Sequence, residues 1–426
     1  MRGADPPAAA VTLAGLDRDP HPLLAAMRAA GPVCWVPALG AWLVTGYQCA
    51  VDVLRDARTF TVDDPRFSTA KVVGPSMLSL DGAQHARHRA PFSRAFRSEE
   101  VHARLASFTQ AEAGRLVSAI AARGEAELRR AVAGPLAAAV MAEALGLGAT
   151  DPAKILSWYD GIVAAVQAEA AAAAGMPPGR LAPGAAPGQA GQPAAAGSEA
   201  FAELAASLRR VIGASRPSLL AQVTGPLTET ETISNAAVLL FGGIETTEGM
   251  IANAMLHLLS SPAGLEQVSA DPGLIPAAIE ESLRLEPAAA VVDRYATRDI
   301  RLGSAHIAAG DQVTVSIAGA NRDPAVFARP DAFDIRRPNA GRHLAFAHGP
   351  HFCLGAHLAR LETQIAIETM LAMLPRLRLA RSDPSSPSQP RGLVFRKPPA
   401  LPVRWDRALP VGWPGHRRRR DVGAGS

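Results

Sequence analysis

Cysteine is scarce in this chain, and nothing indicates that the cysteines pair with one another. Only Cys34, Cys49 and Cys353 occur among the 426 residues, and their spacing contains no CxxC motif. This usage fits a reducing compartment. Residues 1–7 lack the apolar stretch of a signal peptide, and no run reaches the roughly 18 continuous apolar residues of a membrane span. We therefore expect a cytoplasmic protein that is not bound to a membrane.

Excess charge is small as well. Charged residues make up 19% of the chain and the net charge is +4, and no basic stripe is interleaved with aromatic side chains. We therefore expect no nucleic-acid partner. Much of the positive excess lies in the arginine run at 417–420. We interpret residues 409–426 as a basic, disordered tail.

Most of the chain has the apolar periodicity of helices. The clearest helix is predicted over residues 228–259, where Thr228 and Glu231 have the spacing of a capping box and a Ser-Ser-Pro sequence follows. Short strands are predicted from β-branched runs that alternate with turn residues. The other predicted helices cover 98–122, 135–145, 152–169, 198–212 and 276–285, and the predicted strands lie at 33–36, 42–44 and within 291–315.

Residues 168–197 form a low-complexity segment rich in alanine, proline and glycine. Such a composition offers little side-chain surface to bury, so we predict a flexible loop. The segment lies between two predicted helices. Two interpretations are open: a lid over a binding site, or a surface insertion without a function of its own.

One cysteine occupies a distinctive position. Cys353 lies near the end of a loop, with Gly349 before it and Gly355 after it, and a predicted helix follows directly. The free N–H groups and partial positive charge of a helix N-terminus favour a thiolate, and the glycines let the backbone pass close to a flat, bulky group. A buried structural cysteine is one alternative. A zinc site is another, with ligands drawn from His343, His348, His351 and Cys353.

The loop pattern Phe346-x-x-Gly349-x-His351-x-Cys353-x-Gly355 resembles the haem-binding signature of the cytochrome P450 family at every fixed position. The resemblance implies haem b as the cofactor, with Cys353 as the axial ligand of the iron and His351 near a haem propionate. Thiolate ligation favours cleavage of the O–O bond.

The same resemblance covers about residues 10–408 and implies one domain with the cytochrome P450 fold, mainly α with a small β region. Ala347 stands where bacterial relatives often carry glycine, and we expect little consequence from this difference.

The middle of the long predicted helix contains Gly242-Gly243-Ile-Glu245-Thr246. Each glycine costs about 1 kcal/mol relative to alanine in a helix, which favours a packing or functional reason. We predict a groove at the two glycines, with an acid and an alcohol beside it. A kinked helix with a solvated glutamate is the alternative. The segment resembles the family's oxygen-binding signature, which implies Thr246 as the oxygen-activating alcohol and Glu245 as the proton-relay acid.

Further residues follow from the resemblance in the family's order. Glu281 and Arg284 form an ExxR pair, to which the family adds an arginine upstream of the cysteine loop, here Arg337. This triad is implied to be structural. The residues implied to contact the haem propionates are His85, Arg89 and Arg294.

The implied reaction is monooxygenation, which uses dioxygen, an organic substrate, two electrons and two protons. No glycine-rich dinucleotide fingerprint is visible, so electrons are expected from NAD(P)H through a ferredoxin and its reductase, with a monomeric enzyme as the acceptor. A peroxide-driven enzyme of the same fold and a non-catalytic haem sensor are the alternatives. The residues expected to dock the redox partner are Arg87, Arg94, Arg97 and Arg360. The resemblance places six apolar residues at the substrate pocket: Met77, Leu78, Phe241, Val291, Val292 and Phe395. These side chains favour an apolar or aromatic small molecule as the substrate, for example one of secondary metabolism.

Overall fold

The computed structural model describes residues 6–148, 150–173, 193–214, 219–223, 225–380 and 388–407. The α-helices of these residues are α1 (Pro6–Ala9), α2 (Leu13–Arg18), α3 (His21–Ala30), α4 (Tyr47–Arg55), α5 (Ser68–Val73), α6 (Gly82–Ser93), α7 (Ser98–Ala121), α8 (Gly134–Leu145), α9 (Pro152–Ala173), α10 (Pro193–Gly213), α11 (Leu219–Val223), α12 (Glu229–Ser260), α13 (Pro262–Ala270), α14 (Ile275–Leu285), α15 (Ile317–Ala320) and α16 (Ala356–Met373). The strands are β1 (Val33–Val36), β2 (Ala41–Val44), β3 (Phe60–Thr61), β4 (Glu125–Glu127), β5 (Val291–Ala296), β6 (Ile300–Leu302), β7 (Ala305–Ile307), β8 (Gln312–Ser316), β9 (Arg378–Leu379) and β10 (Pro402–Arg404). The predicted class, mainly α with a small β region, is confirmed.

The largest sheet joins two distant parts of the chain. Its strand order is β1-β2-β8-β5-β3. β1 and β2 form an antiparallel pair, and β2 runs parallel to β8. β5 then pairs antiparallel with β8 and with β3. The strands predicted at 33–36, 42–44 and within 291–315 are therefore present, and the sheet fixes β5, which contains Arg294.

α12 is the central helix of the fold. It begins with the predicted capping box: the Thr228 hydroxyl accepts a hydrogen bond from the Glu231 N–H at 3.3 Å, and the Glu231 carboxylate accepts one from the Thr228 N–H at 2.9 Å. Apolar residues recur on nearly every face of α12, so burial on all sides is favourable. The helix packs against α8, α9, α14 and α16. Its contact with α16 joins the glycine-containing helix to the element that follows Cys353.

Both ends of the segment at 168–197, which was predicted to be a flexible loop, are helical in the structure. α9 continues to Ala173, and α10 begins at Pro193. Alanine has the highest helix propensity, so the alanine run extends α9 rather than starting a loop. Proline is favourable at the first position of a helix, as at Pro193. Residues 174–192 and the predicted tail at 409–426 lie outside the described residues.

In the described part of the chain, no helix combines the length and the apolarity needed to cross a bilayer.

Candidate active site

Cys353 lies in a tight loop that its own backbone closes. After a 3₁₀ turn at Gly349–His351, the Cys353 N–H donates a hydrogen bond to the Phe346 carbonyl oxygen at 2.8 Å. Gly355 then forms the N-cap of α16. A Cβ at Gly355 would meet only the Cys353 sulfur, at 4.0 Å. The loop therefore leaves space beside Gly355 on the side of the Cys353 sulfur, and its occupation by a flat, bulky group stays a prediction.

Gly349 has a different reason for being glycine. Its φ is +71°, and a Cβ there would lie 2.5 Å from the Leu54 carbonyl oxygen and 3.0 Å from Arg55 Cα. Left-handed backbone favours glycine, and the backbone of α4 fills the space that a side chain would need. The missing side chain at Gly349 makes room for the backbone of α4. The prediction that it makes room for a flat ligand is therefore wrong.

The electrostatics of Cys353 also differ from the expectation. Burial raises the pKa of the Cys353 thiol, and the Gly355 N–H, Arg89 and Arg360 oppose that rise without cancelling it. The helix N-terminus was expected to lower the pKa, but the loss of solvent outweighs it. A metal ion bound to a thiol deprotonates it, so iron would itself supply the stabilisation that the thiolate needs.

Ala347 is strained in this loop. Its φ is +58°, a left-handed conformation that costs a non-glycine residue about 1–2 kcal/mol. We expect Ala347→Gly to stabilise the protein by removing this strain. The stabilisation is reduced by about 0.4–1 kcal/mol, because glycine gives the unfolded chain more conformational entropy. A rise of about 1–2 °C in Tm, measured by calorimetry on the haem-loaded protein, is the expected result. An equal fall in Tm would show that the Ala347 methyl group makes contacts worth more than the strain.

Glu281, Arg284 and Arg337 meet behind this loop. Both side chains of the Glu281–Arg284 pair are 0% exposed, and Arg284 donates to the two carboxylate oxygens at 2.7 and 2.8 Å. Arg337 Nε lies 3.0 Å from both oxygens, and the Asp334 N–H donates to one of them at 2.9 Å. The remaining guanidinium hydrogens of Arg284 bind carbonyl oxygens of Asn321, Pro330 and Ala332. The structure thus brings the three triad residues together and ties α14 to the chain upstream of Cys353.

Two buried polar groups near His351 lack the partners that burial normally requires. Nε2 of His85 has no hydrogen-bond partner among the described residues. Arg294 is 4% exposed and donates only to the Asp293 carbonyl oxygen, at 2.7 Å, with no carboxylate in ion-pair range within the described chain. Burial lowers the pKa of Arg294 to about 10, so it stays charged at neutral pH. Unsatisfied buried groups cost about 1–3 kcal/mol each. A carboxylate brought by a ligand fits both groups, as a haem propionate would.

Arg89 and His351 complete this cluster. Arg89 lies one turn after His85 on α6, and its Nη2 donates to the Phe352 carbonyl oxygen at 2.7 Å. The rings of His85 and His351 lie 4.3 Å apart. His351 Nε2 is bound to Asp81 at 2.8 Å, so this nitrogen is already engaged. Contact between His351 and a propionate stays a prediction.

The zinc alternative finds no support in the geometry. His343 binds Glu280, His348 accepts a hydrogen bond from Arg55, and His351 binds Asp81. The described residues contain no group of three or more histidine, cysteine or acidic side chains that could hold a metal ion. The three histidines therefore have separate structural partners.

On α12, Gly242 and Gly243 have different surroundings. A Cβ at Gly242 would have no heavy atom within 4 Å, whereas one at Gly243 would collide with the Met141 side chain of α8. Successive residues lie about 100° apart around a helix, so only Gly242 faces open space. The prediction that both glycines form a groove is wrong for Gly243, which lets α12 pack closely against α8.

Thr246 lies one turn beyond Gly242 and shares its face. Its hydroxyl donates to the Gly242 carbonyl oxygen at 2.6 Å, which leaves the hydroxyl oxygen able to accept a hydrogen bond. α12 is continuous through both glycines. The alcohol therefore stands beside the open space at Gly242.

Glu245 is held in place rather than solvated. Its side chain is 11% exposed, and its Oε2 accepts hydrogen bonds from Lys397 Nζ at 2.9 Å and from the Tyr159 hydroxyl. Burial raises the pKa of the Glu245 carboxyl, and Lys397 opposes that rise. The sequence did not reveal Lys397 or Tyr159, which lie 152 and 86 residues away along the chain and belong to no motif.

Comparisons with known proteins agree with this geometry. The family described as Cytochrome P450 matches residues 273–402. Cytochrome P450 monooxygenase PikC of Streptomyces venezuelae is 35% identical, across 96% of this chain and 97% of that protein. The chain belongs to the cytochrome P450 family.

Other P450 relatives cover similar spans. Mycinamicin IV hydroxylase/epoxidase of Micromonospora griseorubida is 33% identical, across 86% of this chain and 89% of its own. The crystal structure of CalO2 superposes with a TM-score of 0.82 at 28% identity, covering 95% of this chain and 99% of that one. These similarities confirm the predicted fold and monooxygenase class, and membership of the family implies a haem cofactor.

The residues predicted for the substrate pocket of this P450 lie in several different surroundings. Phe241 and Phe395 meet edge to face with ring centroids 5.7 Å apart, and Tyr159 stacks on Phe241 at 6.2 Å. Met77 is buried in the main hydrophobic core, with Leu78 packed against that core.

Val291 and Val292 are consecutive residues in β5, so their side chains point to opposite faces of the sheet. Val292 shares the face of Arg294. The two valines cannot both line one cavity, so the prediction that they do is wrong for one of them.

Arg360, which was predicted to dock the redox partner of the P450, contacts Glu280 and Phe346 instead. Arg360 binds Glu280 at 2.6 and 2.9 Å, and its guanidinium carbon lies 4.5 Å from the Phe346 ring centroid. It therefore supports the thiolate loop. The exposed residues that remain candidates for docking are Arg87, Arg94 and Arg97.

Proposed function

We propose that this P450 inserts one oxygen atom of dioxygen into a small apolar or aromatic molecule of secondary metabolism. The observation that carries the proposal is the aromatic cluster of Tyr159, Phe241 and Phe395, in which Phe241 directly precedes Gly242 on α12. Aromatic faces bind apolar ligands through large contact areas and edge-to-face packing. A relative named Mycinamicin IV hydroxylase/epoxidase supports the insertion of oxygen into an organic molecule.

When bound, haem b activates dioxygen, and ligation by a thiolate favours cleavage of the O–O bond. Within the chain, we propose that Cys353 binds the iron and that His85, Arg89 and Arg294 hold the propionates. The other residues proposed to shape the haem environment are Gly242, Phe346, His351 and Gly355.

We further propose that Glu245 and Thr246 move protons. Cleavage of the O–O bond consumes protons, and a positioned acid and alcohol deliver them faster than bulk water does. Thr246 stands at the open space beside Gly242, and Glu245 precedes it with an oxygen held by Lys397. Burial raises the pKa of the Glu245 carboxyl, and Lys397 opposes that rise.

Electrons are proposed to come from NAD(P)H through a ferredoxin and its reductase. The chain has no glycine-rich dinucleotide motif. Arg97, exposed just before α7, offers a positive charge to an acidic carrier, whereas Arg87 and Arg94 are already paired with Glu231 and Glu100. A cytoplasmic location and a monomeric state stay predictions.

The relay predicts a specific defect in two variants. In Thr246→Ala and Glu245→Gln, we expect haem binding and the carbon monoxide spectrum to persist, while product formed per NAD(P)H consumed falls and peroxide or water rises. Each variant removes a proton-carrying group without removing a ligand of the iron. Thr246→Ser keeps the hydroxyl and is expected to keep the coupling. Normal coupling in both Thr246→Ala and Glu245→Gln would contradict the relay.

The function itself is tested by a ligand screen. A panel of apolar and aromatic compounds is added to the ferric protein, and compounds that shift the haem band from low to high spin are incubated with ferredoxin, reductase and NAD(P)H. Mass spectrometry should show products that carry one additional oxygen atom. Turnover with hydrogen peroxide alone, and none with the redox partners, would favour the peroxide-driven alternative. Binding without turnover under either condition would favour a sensor.

A further inference from the structure

Three parts of the chain meet at the Glu245 carboxylate. Glu245 and Glu248 project from neighbouring turns of α12, Tyr159 comes from α9, and Lys397 comes from the chain before β10. Lys397 Nζ lies 2.9 Å from Glu245 Oε2 and 2.5 Å from Glu248 Oε2. Its side chain is 15% exposed, and those of the two glutamates are 11% exposed. The ammonium therefore bridges two nearly buried carboxylates.

The direction of Lys397 is fixed by the segment that bears it. The Ala290 N–H donates to the Val394 carbonyl oxygen and the Arg396 N–H to that of Ala288, both at 2.8 Å, which gives the segment an extended, strand-like pairing. Side chains alternate in such a segment, so Phe395 and Lys397 share one face. Phe395 contacts Phe241, and Lys397 contacts Glu245.

Arg396 points the other way and anchors the segment. It is 2% exposed and donates to Glu286 at 2.7 Å. It also binds the carbonyl oxygens of Asp17, Pro390 and Gly392. A buried guanidinium with this many partners allows little movement. The ammonium next to it in sequence is therefore presented to Glu245 by a rigid support.

The charges around Glu245 make this cation important. Arg129 Nε lies 2.7 Å from Glu248 Oε1, without the alignment of a hydrogen bond. Asp160 on α9 is a further acid, whose pKa is raised by burial and by Glu248. Three acids thus face two cations. Of the two cations, only Lys397 contacts Glu245. Its positive charge therefore opposes the rise in the pKa of the Glu245 carboxyl that burial causes.

We propose that Lys397 is a positioning residue for Glu245, which it holds in one orientation and in the ionised form, with the Tyr159 hydroxyl as a second donor from α9. This proposal rests on the proposed relay function of Glu245. It predicts that the charge at position 397, rather than its packing, sets how efficiently protons are delivered.

Infrared difference spectroscopy of the resting, haem-loaded protein tests the charge directly. The carboxylic acid band that disappears in Glu245→Gln identifies Glu245, and its growth with falling pH gives a midpoint. Lys397→Met should raise that midpoint by about 1–3 pH units, the usual effect of losing an adjacent opposite charge. In Lys397→Arg, which keeps the positive charge, the midpoint should stay close to the wild-type value. Tyr159→Phe should raise the midpoint less than Lys397→Met does. Lys154→Met removes an exposed ion pair to Glu203 and should leave the midpoint unchanged.

Turnover supplies the second measurement. Product per NAD(P)H should fall in Lys397→Met toward the value of Glu245→Gln and stay near wild type in Lys397→Arg. An unchanged midpoint, unchanged coupling, or failure of Lys397→Arg to rescue would each overturn the positioning role. Normal coupling in Glu245→Gln would instead disprove the relay, while the infrared midpoint would still show whether Lys397 holds Glu245 ionised.

Discussion

A Cys353→His variant is expected to lose the red-shifted Soret band that the reduced protein forms with carbon monoxide. That band requires a thiolate ligand, and a neutral imidazole does not donate electron density in the same way. No other cysteine is placed to replace Cys353, because Cys34 lies in β1 and Cys49 lies at the start of α4, with its sulfur beside Gly303. The loss should therefore be complete, and monooxygenation should fall with it. Absorption spectra of purified protein, reduced and saturated with carbon monoxide, provide the measurement.

Cys49→Ser is the matched control. Cys49 is partly buried in α4 and has no place at the site, so its replacement should preserve the band. A thiolate spectrum in Cys353→His would show that the axial ligand had been assigned incorrectly. An unfolded Cys353→His variant is recognised by circular dichroism, and Cys353→Ser then provides a smaller change at the same position.

Contiguous motifs were the most predictable part of the site. The thiolate loop and the Gly242–Thr246 segment each lie within one stretch of sequence, so their residue types and spacing are visible without a structure. The α12 capping box is equally local. The contact between Arg337 and Glu281 spans 56 residues, and only the family resemblance pointed to it.

Contacts between distant segments could not be predicted. Lys397 reaches Glu245 because Arg396 anchors an extended segment through bonds to Glu286 and Asp17, and neither Lys397 nor Arg396 belongs to a motif. The same limit applies to Gly349, because the backbone that fills its Cβ position belongs to α4. Gly243 looks like Gly242 in sequence, and only the location of Met141 separates packing from open space.

Composition also misled at one point. The alanine run after residue 168 was interpreted together with the proline and glycine residues that follow it, as one flexible segment. Alanine alone favours helix, and α9 extends to Ala173. Averaging composition over a long window therefore hid the helix that continues to Ala173.

A Glu281→Ala variant is expected to accumulate almost no haem-loaded protein. Glu281 is 0% exposed and accepts hydrogen bonds from Arg284, Arg337 and the Asp334 N–H. Its removal leaves two buried guanidinium groups without a counter-charge, which costs about 3–5 kcal/mol. That loss is a large part of the roughly 5–15 kcal/mol by which a folded protein is stable. Because the triad ties α14 to the chain that leads into the Cys353 loop, the loop should lose its shape first.

The measurement is haem bound per polypeptide in soluble protein, with circular dichroism to follow the helices. Glu266→Ala, at an exposed position on α13, is the matched control and should change stability by less than about 0.5 kcal/mol. Arg284→Lys keeps the charge but loses the planar fork that binds Glu281 and three carbonyl oxygens, so it should also lose haem. If Arg284→Lys binds haem fully while Glu281→Ala does not, charge alone holds the loop. If Glu281→Ala is soluble and fully loaded with haem, the triad is dispensable and the loop is fixed by its own contacts, above all the Cys353 N–H bond to Phe346 and the packing of Arg360 on the Phe346 ring.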